Sequence, residues 1–141
     1  MLDQMKALAR SKTVCVLATI AGSKPYCSLM AYATDEECRE VYMATQRDTN
    51  KFRNLTENAS VSLLIDTRET LPRSQAQALT VEGVCAPIVD PARRNRARSR
   101  LLEKNPHLEE FLAHPECVLL RVEIKSFLLL KGLTEAYHAT L

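Results

Sequence analysis

The stretch Thr45-Gln46-Arg47-Asp48-Thr49-Asn50-Lys51 gathers side chains suited to holding an anion. A β-like run ends at Thr45 and a helical period opens at Asp48, so the free N–H groups of a helix start fall among hydroxyls and cations. Arg47 and Lys51 bring charge. Thr45, Thr49 and Asn50 bring hydrogen bonds of the kind a phosphate oxygen accepts. Asp48 suits the N-cap, with its carboxylate turned aside. The same residues also describe a plain, well-capped polar helix start, and spacing alone leaves both readings open.

Other candidates are weaker. Arg93, Arg94, Arg96, Arg98 and Arg100 spread over two sides of a helix without interleaved aromatics, and Glu103, Glu109 and Glu110 follow. They read as a solvated helix face rather than a nucleic-acid patch. His107, His114 and His138 have no carboxylate or cysteine at ligand spacing, so no metal site is expected. G-x-S-x-G, H-E-x-x-H and G-x-G-x-x-G are all missing, which removes the sequence support for hydrolase and dinucleotide-fold readings. The five cysteines (Cys15, Cys27, Cys38, Cys85, Cys117) are odd in number and form no C-x-x-C. Cys15, Cys27 and Cys85 lie in apolar runs, where a free thiol packs as a small hydrophobe, as suits a reducing compartment. A net charge of +2 is too small to imply nucleic acid or an anionic membrane. No apolar run approaches the roughly 20 residues of a membrane span, and no secretory signal precedes the first strand. A cytoplasmic location is the default expectation.

The elements that must position these groups follow from periodicity. The chain has 141 residues, 46% of them apolar and 26% charged, which predicts one globular domain over 1–141. Residues 2–10 have helical spacing, and Thr13–Ile20, Tyr26–Ala33 and Glu40–Thr45 form a predicted antiparallel meander. A helix is expected over Asp48–Asn58, then strands at Ser60–Asp66 and Ala78–Ile88. Asp90-Pro91 opens a helix running to about Lys104, Pro106 breaks it, and His107–Ala113 adds a turn or two. Cys117–Leu130 is a long strand, and Glu135–Thr140 is a candidate for a short last one. The class is mainly β with short helices (α+β), and a closed or half-closed antiparallel barrel solves the edge problem for such a set.

With these elements in order, the segment Leu17–Asp66 resembles the pyridoxamine 5'-phosphate oxidase-related, FMN-binding split-barrel family. The shared features are an LAT strand, a turn ending in Pro25, the SLMAYA strand, a strand closing on AT, a stretch holding Lys51, and then NL…N…VSLLID. A weaker likeness continues through ALTVEGVCAPI and LLRVEIKSFLLLKG. The resemblance implies a six- to seven-stranded split barrel with FMN at a homodimer interface. It places the flavin phosphate at Lys51, Asn50 and Thr49, with Thr45 and Arg47 nearby, and lays the ring along Ser28-Leu29-Met30-Ala31. The partner would then cover apolar strand faces that include Phe127–Leu130.

The sequence departs from the vitamin B6 oxidases themselves. Ser28 and Asn50 stand where those enzymes carry arginine, and Ala33 lies near a lysine position. Their flavin-contacting glutamine falls near Ala78; Gln77 is the adjacent candidate, on the opposite face of a regular strand. Their C-terminal Arg-x-His element has no counterpart. The leading functional expectation is an FMN-dependent oxidoreductase acting on a small-molecule redox substrate, with no catalytic residue assigned. The alternatives are a flavin-holding or electron-carrying protein, a haem binder using a histidine such as His138, and a nucleic-acid module using the arginine helix.

Overall fold

A computed structural model describes all 141 residues. Helix α1 (Leu2–Ser11) leads into β1 (Val14–Ala21), β2 (Lys24–Ala31), a two-residue β3 (Ala33–Thr34) and β4 (Glu40–Gln46). Helix α2 (Asn50–Glu57) precedes β5 (Ser60–Asp66) and β6 (Gln77–Pro87). Helix α3 (Pro91–Lys104), a 3-10 turn (Pro106–Leu108) and α4 (Glu109–Ala113) lead to β7 (Cys117–Lys131) and β8 (Glu135–Thr140). Every pairing is antiparallel, in the order β2-β1-β5-β6-β7-β4-β3, with β8 also on β7. The expected six or seven strands become seven when β3 is counted as the continuation of β2.

That continuation closes the barrel. Lys24–Ala31 pairs with β1 at one end of the sheet, and two residues further on Ala33–Thr34 pairs with β4 at the other. Tyr32 sits fully buried at the switch. Its N–H donates to the Thr13 carbonyl (2.9 Å), its hydroxyl donates to the Ala9 carbonyl (2.6 Å), and the Tyr32 carbonyl accepts from Asn105 Nδ2 (3.1 Å). All three polar groups are thus satisfied at a buried position, which removes the main cost of burying them.

The interior follows from period-2 alternation, with Leu17, Met43, Leu63, Leu79 and Leu120 all pointing inward. Met5, Leu8 and Ala9 of α1 and Leu55 of α2 add to this 23-residue cluster. A separate seven-residue cluster joins Ala97 and Leu101 of α3 and Leu112 of α4 to Tyr42 and Leu119, outside the barrel.

Several expectations need correction. The stretch Phe127–Leu130 does not present itself whole to a partner: Phe127 and Leu129 are fully buried within the barrel, while Leu128 and Leu130 face outward. The register shifts where Glu82 pairs with Ser126 and Gly83 with Ile124, leaving Lys125 as the extra residue of a bulge. A Cβ on Gly83 would collide with the Glu123 carbonyl oxygen, so only glycine fits that close approach. Of Phe127–Leu130, alternate residues alone remain free for a partner. Cys27, expected to pack as an apolar residue, is exposed on β2, whereas Cys15 and Cys85 are buried. Helix α2 starts two residues later than expected, with Thr49 rather than Asp48 as its N-cap.

Candidate functional site

Beyond Ala33–Thr34, β2 and β4 diverge, because only Ala33 and Thr34 pair with Tyr42 and Val41. β2 runs back from that junction through Met30 and Leu29, while β4 runs on through Ala44, Thr45 and Gln46. On the other edge β2 is held by β1 and β4 by β7, so the cleft between them is framed by rigid strands. A cavity of about 390 Å³ fills this split, lined by Leu29, Met30, Ala31, Ala44, Thr45, Gln46, Thr49, Lys51, Leu108 and Phe111. That is within the size range of small-molecule sites.

One end of the cleft is polar and cationic. Thr45 is almost fully buried, and its hydroxyl lies 3.3 Å from that of Thr49. Thr49 accepts from the Phe52 N–H (3.2 Å), capping α2, and donates to the Gln46 carbonyl (3.0 Å). Lys51, half-buried one residue into the helix, has no carboxylate within ion-pair distance. Asp48 is turned out to solvent, where its carboxylate takes Arg53 Nη1 at 3.2 Å. The cleft therefore keeps a positive charge, a helix start and two hydroxyls without a neutralising anion. The other end is apolar, walled by Met30, Leu108 and Phe111.

Six of the ten residues singled out from the sequence meet here: Leu29, Met30, Ala31, Thr45, Thr49 and Lys51. Four do not line the cleft. Ser28, one residue before Leu29 on β2, falls outside the stretch of strand that lines the cleft. Arg47 leaves the strand end toward Glu116 (3.9 Å) and a second groove. Asn50 accepts from Arg53 through its side-chain oxygen. Gln77 begins β6, where its N–H donates to Thr67 Oγ1 (2.8 Å). Sequence reasoning missed Leu108 and Phe111, whose signal was an apolar i, i+3 pair after a helix-breaking proline. None of the three histidines lines the cleft: His107 and His114 belong to the turns after α3, and His138 is exposed on β8. No group of three or more His, Cys, Asp or Glu side chains is arranged to hold a metal ion.

Burial, not a charged neighbour, dominates the titration of the barrel's thiols. It pushes Cys15 and Cys85 up to about 12 and Cys38 to about 11, so these thiols stay protonated and inert at neutral pH. No helix is long and apolar enough to cross a membrane.

Solved structures share this architecture. A haem-binding protein from Mycobacterium smegmatis superimposes with a TM-score of 0.86 at 17% identity, over 97% of this chain and 56% of that one. General stress protein 26 from Bacillus anthracis matches with a TM-score of 0.75 at 19% identity, over 99% and 98% of the two chains. A FAD-binding protein from Mesorhizobium loti matches with a TM-score of 0.74 at 19% identity, over 90% and 91%. The chain thus spans little more than half of the mycobacterial protein but nearly all of the other two. No curated protein matches the sequence. At these identities the likeness establishes the split-barrel fold alone. The sequence itself matches the pyridoxamine 5'-phosphate oxidase description over residues 1–130, well beyond the segment that first suggested it, and the chain belongs to that family.

Proposed function

We propose that the chain is one flavin-binding domain, that it holds FMN in the β2–β4 cleft, and that it works as an oxidoreductase on a small-molecule substrate. The observation that carries this reading is Lys51, a half-buried ammonium without an anionic partner, beside the paired hydroxyls of Thr45 and Thr49. A monoester phosphate supplies the anionic partner that Lys51 lacks. The residues present fit a flavin mononucleotide: cationic and hydroxylic at one end, then a free strand edge at Leu29–Ala31, then an apolar wall at Leu108 and Phe111. The bound flavin would supply the electron-transfer chemistry, and the protein would supply orientation and exclusion of water.

The cleft opens beside a largely apolar outer face. Leu29 is 76% exposed, and on the outer rows Val16 pairs with Leu29 and Leu64, while Leu128 and Leu130 project from β7. A second copy seated there would cover the open side of the cleft, which supports a homodimer with the flavin between subunits. A monomeric mass by light scattering with flavin still bound would contradict that arrangement. The haem alternative has less support, because no histidine of the same protomer reaches the cleft.

Titration of the protein with FMN, followed by flavin fluorescence, tests the reading. A charge-assisted hydrogen bond of this kind is worth about 1.5–3 kcal/mol, so Lys51→Ala should weaken FMN binding roughly ten- to a hundred-fold. Lys104→Ala, on α3 and outside the cleft, should bind as the parent does. Parental affinity in both variants would remove the phosphate assignment. Oxidation of NAD(P)H by the yellow protein then separates an enzyme from an electron carrier.

A further inference from the structure

The arginines of α3 do not form one uniform solvated face. Arg93 reaches the Glu40 carboxylate (3.1 Å), which Arg121 of β7 also contacts (3.3 Å), and Arg100 donates to the Thr34 carbonyl. These side chains fasten the helix to the barrel. Arg94 and Arg98 turn to the other side, into a cavity of about 570 Å³ between α3, α4 and the start of β7. Arg47 enters the same cavity from the turn after β4.

Three guanidinium groups thus line one groove with little to neutralise them. Arg94 makes no side-chain hydrogen bond or ion pair. Arg98, half-buried, has only the neutral Asn95 Oδ1 at 3.1 Å. Arg47 has the exposed Glu116 at 3.9 Å, too long for a hydrogen bond. Glu109 is the sole carboxylate in the lining. Arg94 and Arg98 are four residues apart on one helix side, where like charges repel and weaken the helix. The N-terminus of α3 contributes little, because Asp90 already caps it through the Arg93 N–H. Leu112 and Leu119 form the apolar floor, continuous with the small hydrophobic cluster.

We propose that this groove binds the phosphate end of an organic phosphate, whose body rests on the Leu112 and Leu119 floor. It is a site distinct from the β2–β4 cleft, and it does not depend on the flavin reading. Arg47, Arg94 and Arg98 hold the anion, and forked donors from three arginines of one lining suit a doubly charged phosphate better than a single carboxylate.

Calorimetric titration of the protein with inorganic pyrophosphate, with ionic strength held constant by chloride, tests the proposal. Saturable binding is expected, weakened about tenfold or more in Arg94→Gln/Arg98→Gln and unchanged in Arg96→Gln. Arg96 removes the same charge from the same helix outside the groove. Lys51→Ala should leave pyrophosphate binding intact. Arg47→Gln, which alters no helix, should weaken binding even if the double variant unfolds. The proposal is overturned by the absence of saturable binding, by equal weakening in Arg96→Gln, which would mean diffuse attraction only, or by loss in Lys51→Ala with the arginine variants unaffected.

Discussion

The barrel interior and the helical layer outside it are held by different physics. Inside, 23 buried residues from both ends of the chain interlock, and their positions follow from strand alternation. Outside, α3 and α4 rest on a cluster of seven and depend on discrete ties: the Asp90 cap, the Glu40 clamp on Arg93 and Arg121, and Asn105 on the Tyr32 carbonyl. A layer secured by a few anchors leaves other side chains free of structural duty. Both the cleft, through Leu108 and Phe111, and the arginine groove lie along its border with the barrel. Rigidity resides in the barrel, and the adaptable surface lies where the helices meet it.

The sharpest way to break this contrast is to cut each core once. Phe127→Ala, at a fully buried interior position, should cost about 3–5 kcal/mol and lower the denaturant midpoint for the whole molecule. Leu101→Ala, fully buried in the outer cluster, should cost about 2–3 kcal/mol, because fewer neighbours lose contact. Hydrogen exchange should show that loss mainly in α3 and α4 amides, with the β5–β6 amides still protected. Uniform deprotection in Leu101→Ala would mean that the two regions unfold as one.

Thiol chemistry sharpens the same contrast without mutation. At pH 8 a maleimide should modify exposed Cys27 first and half-buried Cys117, in the outer groove, more slowly. Cys15 and Cys85, pushed to about 12 by burial, should react only on global unfolding. The smallest effect belongs to Asp66 at the barrel rim. Its hydrogen bond from Arg68 holds the carboxyl below its ordinary range against an opposing desolvation effect. Its stabilisation is present above the unfolded carboxylate range and is lost as pH falls through the lower folded value. Because Arg68 is largely exposed, Asp66→Asn should flatten the acid limb of the Tm–pH curve only slightly. A parallel curve would show that the pair contributes nothing.

What could be read in the sequence sorts along the same border. Ser60–Asp66 and Glu135–Thr140 form over the residues expected, and the other strands shift at one or both ends by a residue or two, because β-branched alternation and short turns are local signals. The bulge at Lys125 was not legible: whether Phe127 or Leu128 faces inward depends on how Gly83 lets two strands approach, which is a pairwise property. At the site, Thr45, Thr49 and Lys51 were visible because the strand-to-helix junction is contiguous. The divergence of Arg47 and Asn50 was not, since Glu116 and Arg53 compete for them. The arginine run showed its two sides through helical spacing, but not which of them is tied down. Its sorting into anchors and free cations depends on Glu40 and Thr34, which lie more than fifty residues earlier in the chain.

The strand that passes through Tyr32 is both the first and the last stave of the barrel, and this sets the order in which the fold can assemble. The β1–β2 hairpin closes over the short turn at Gly22, a local event. The ring is complete only when β4 meets β7, whose paired residues Glu40 and Glu123 are more than eighty positions apart. Contacts of such sequence separation make folding slow. A nascent chain that has not yet produced Cys117–Lys131 leaves β6 and β4 with open edges at the same time. The late strand therefore carries the kinetic burden of the fold, and truncation ahead of it should yield aggregates rather than a smaller folded barrel.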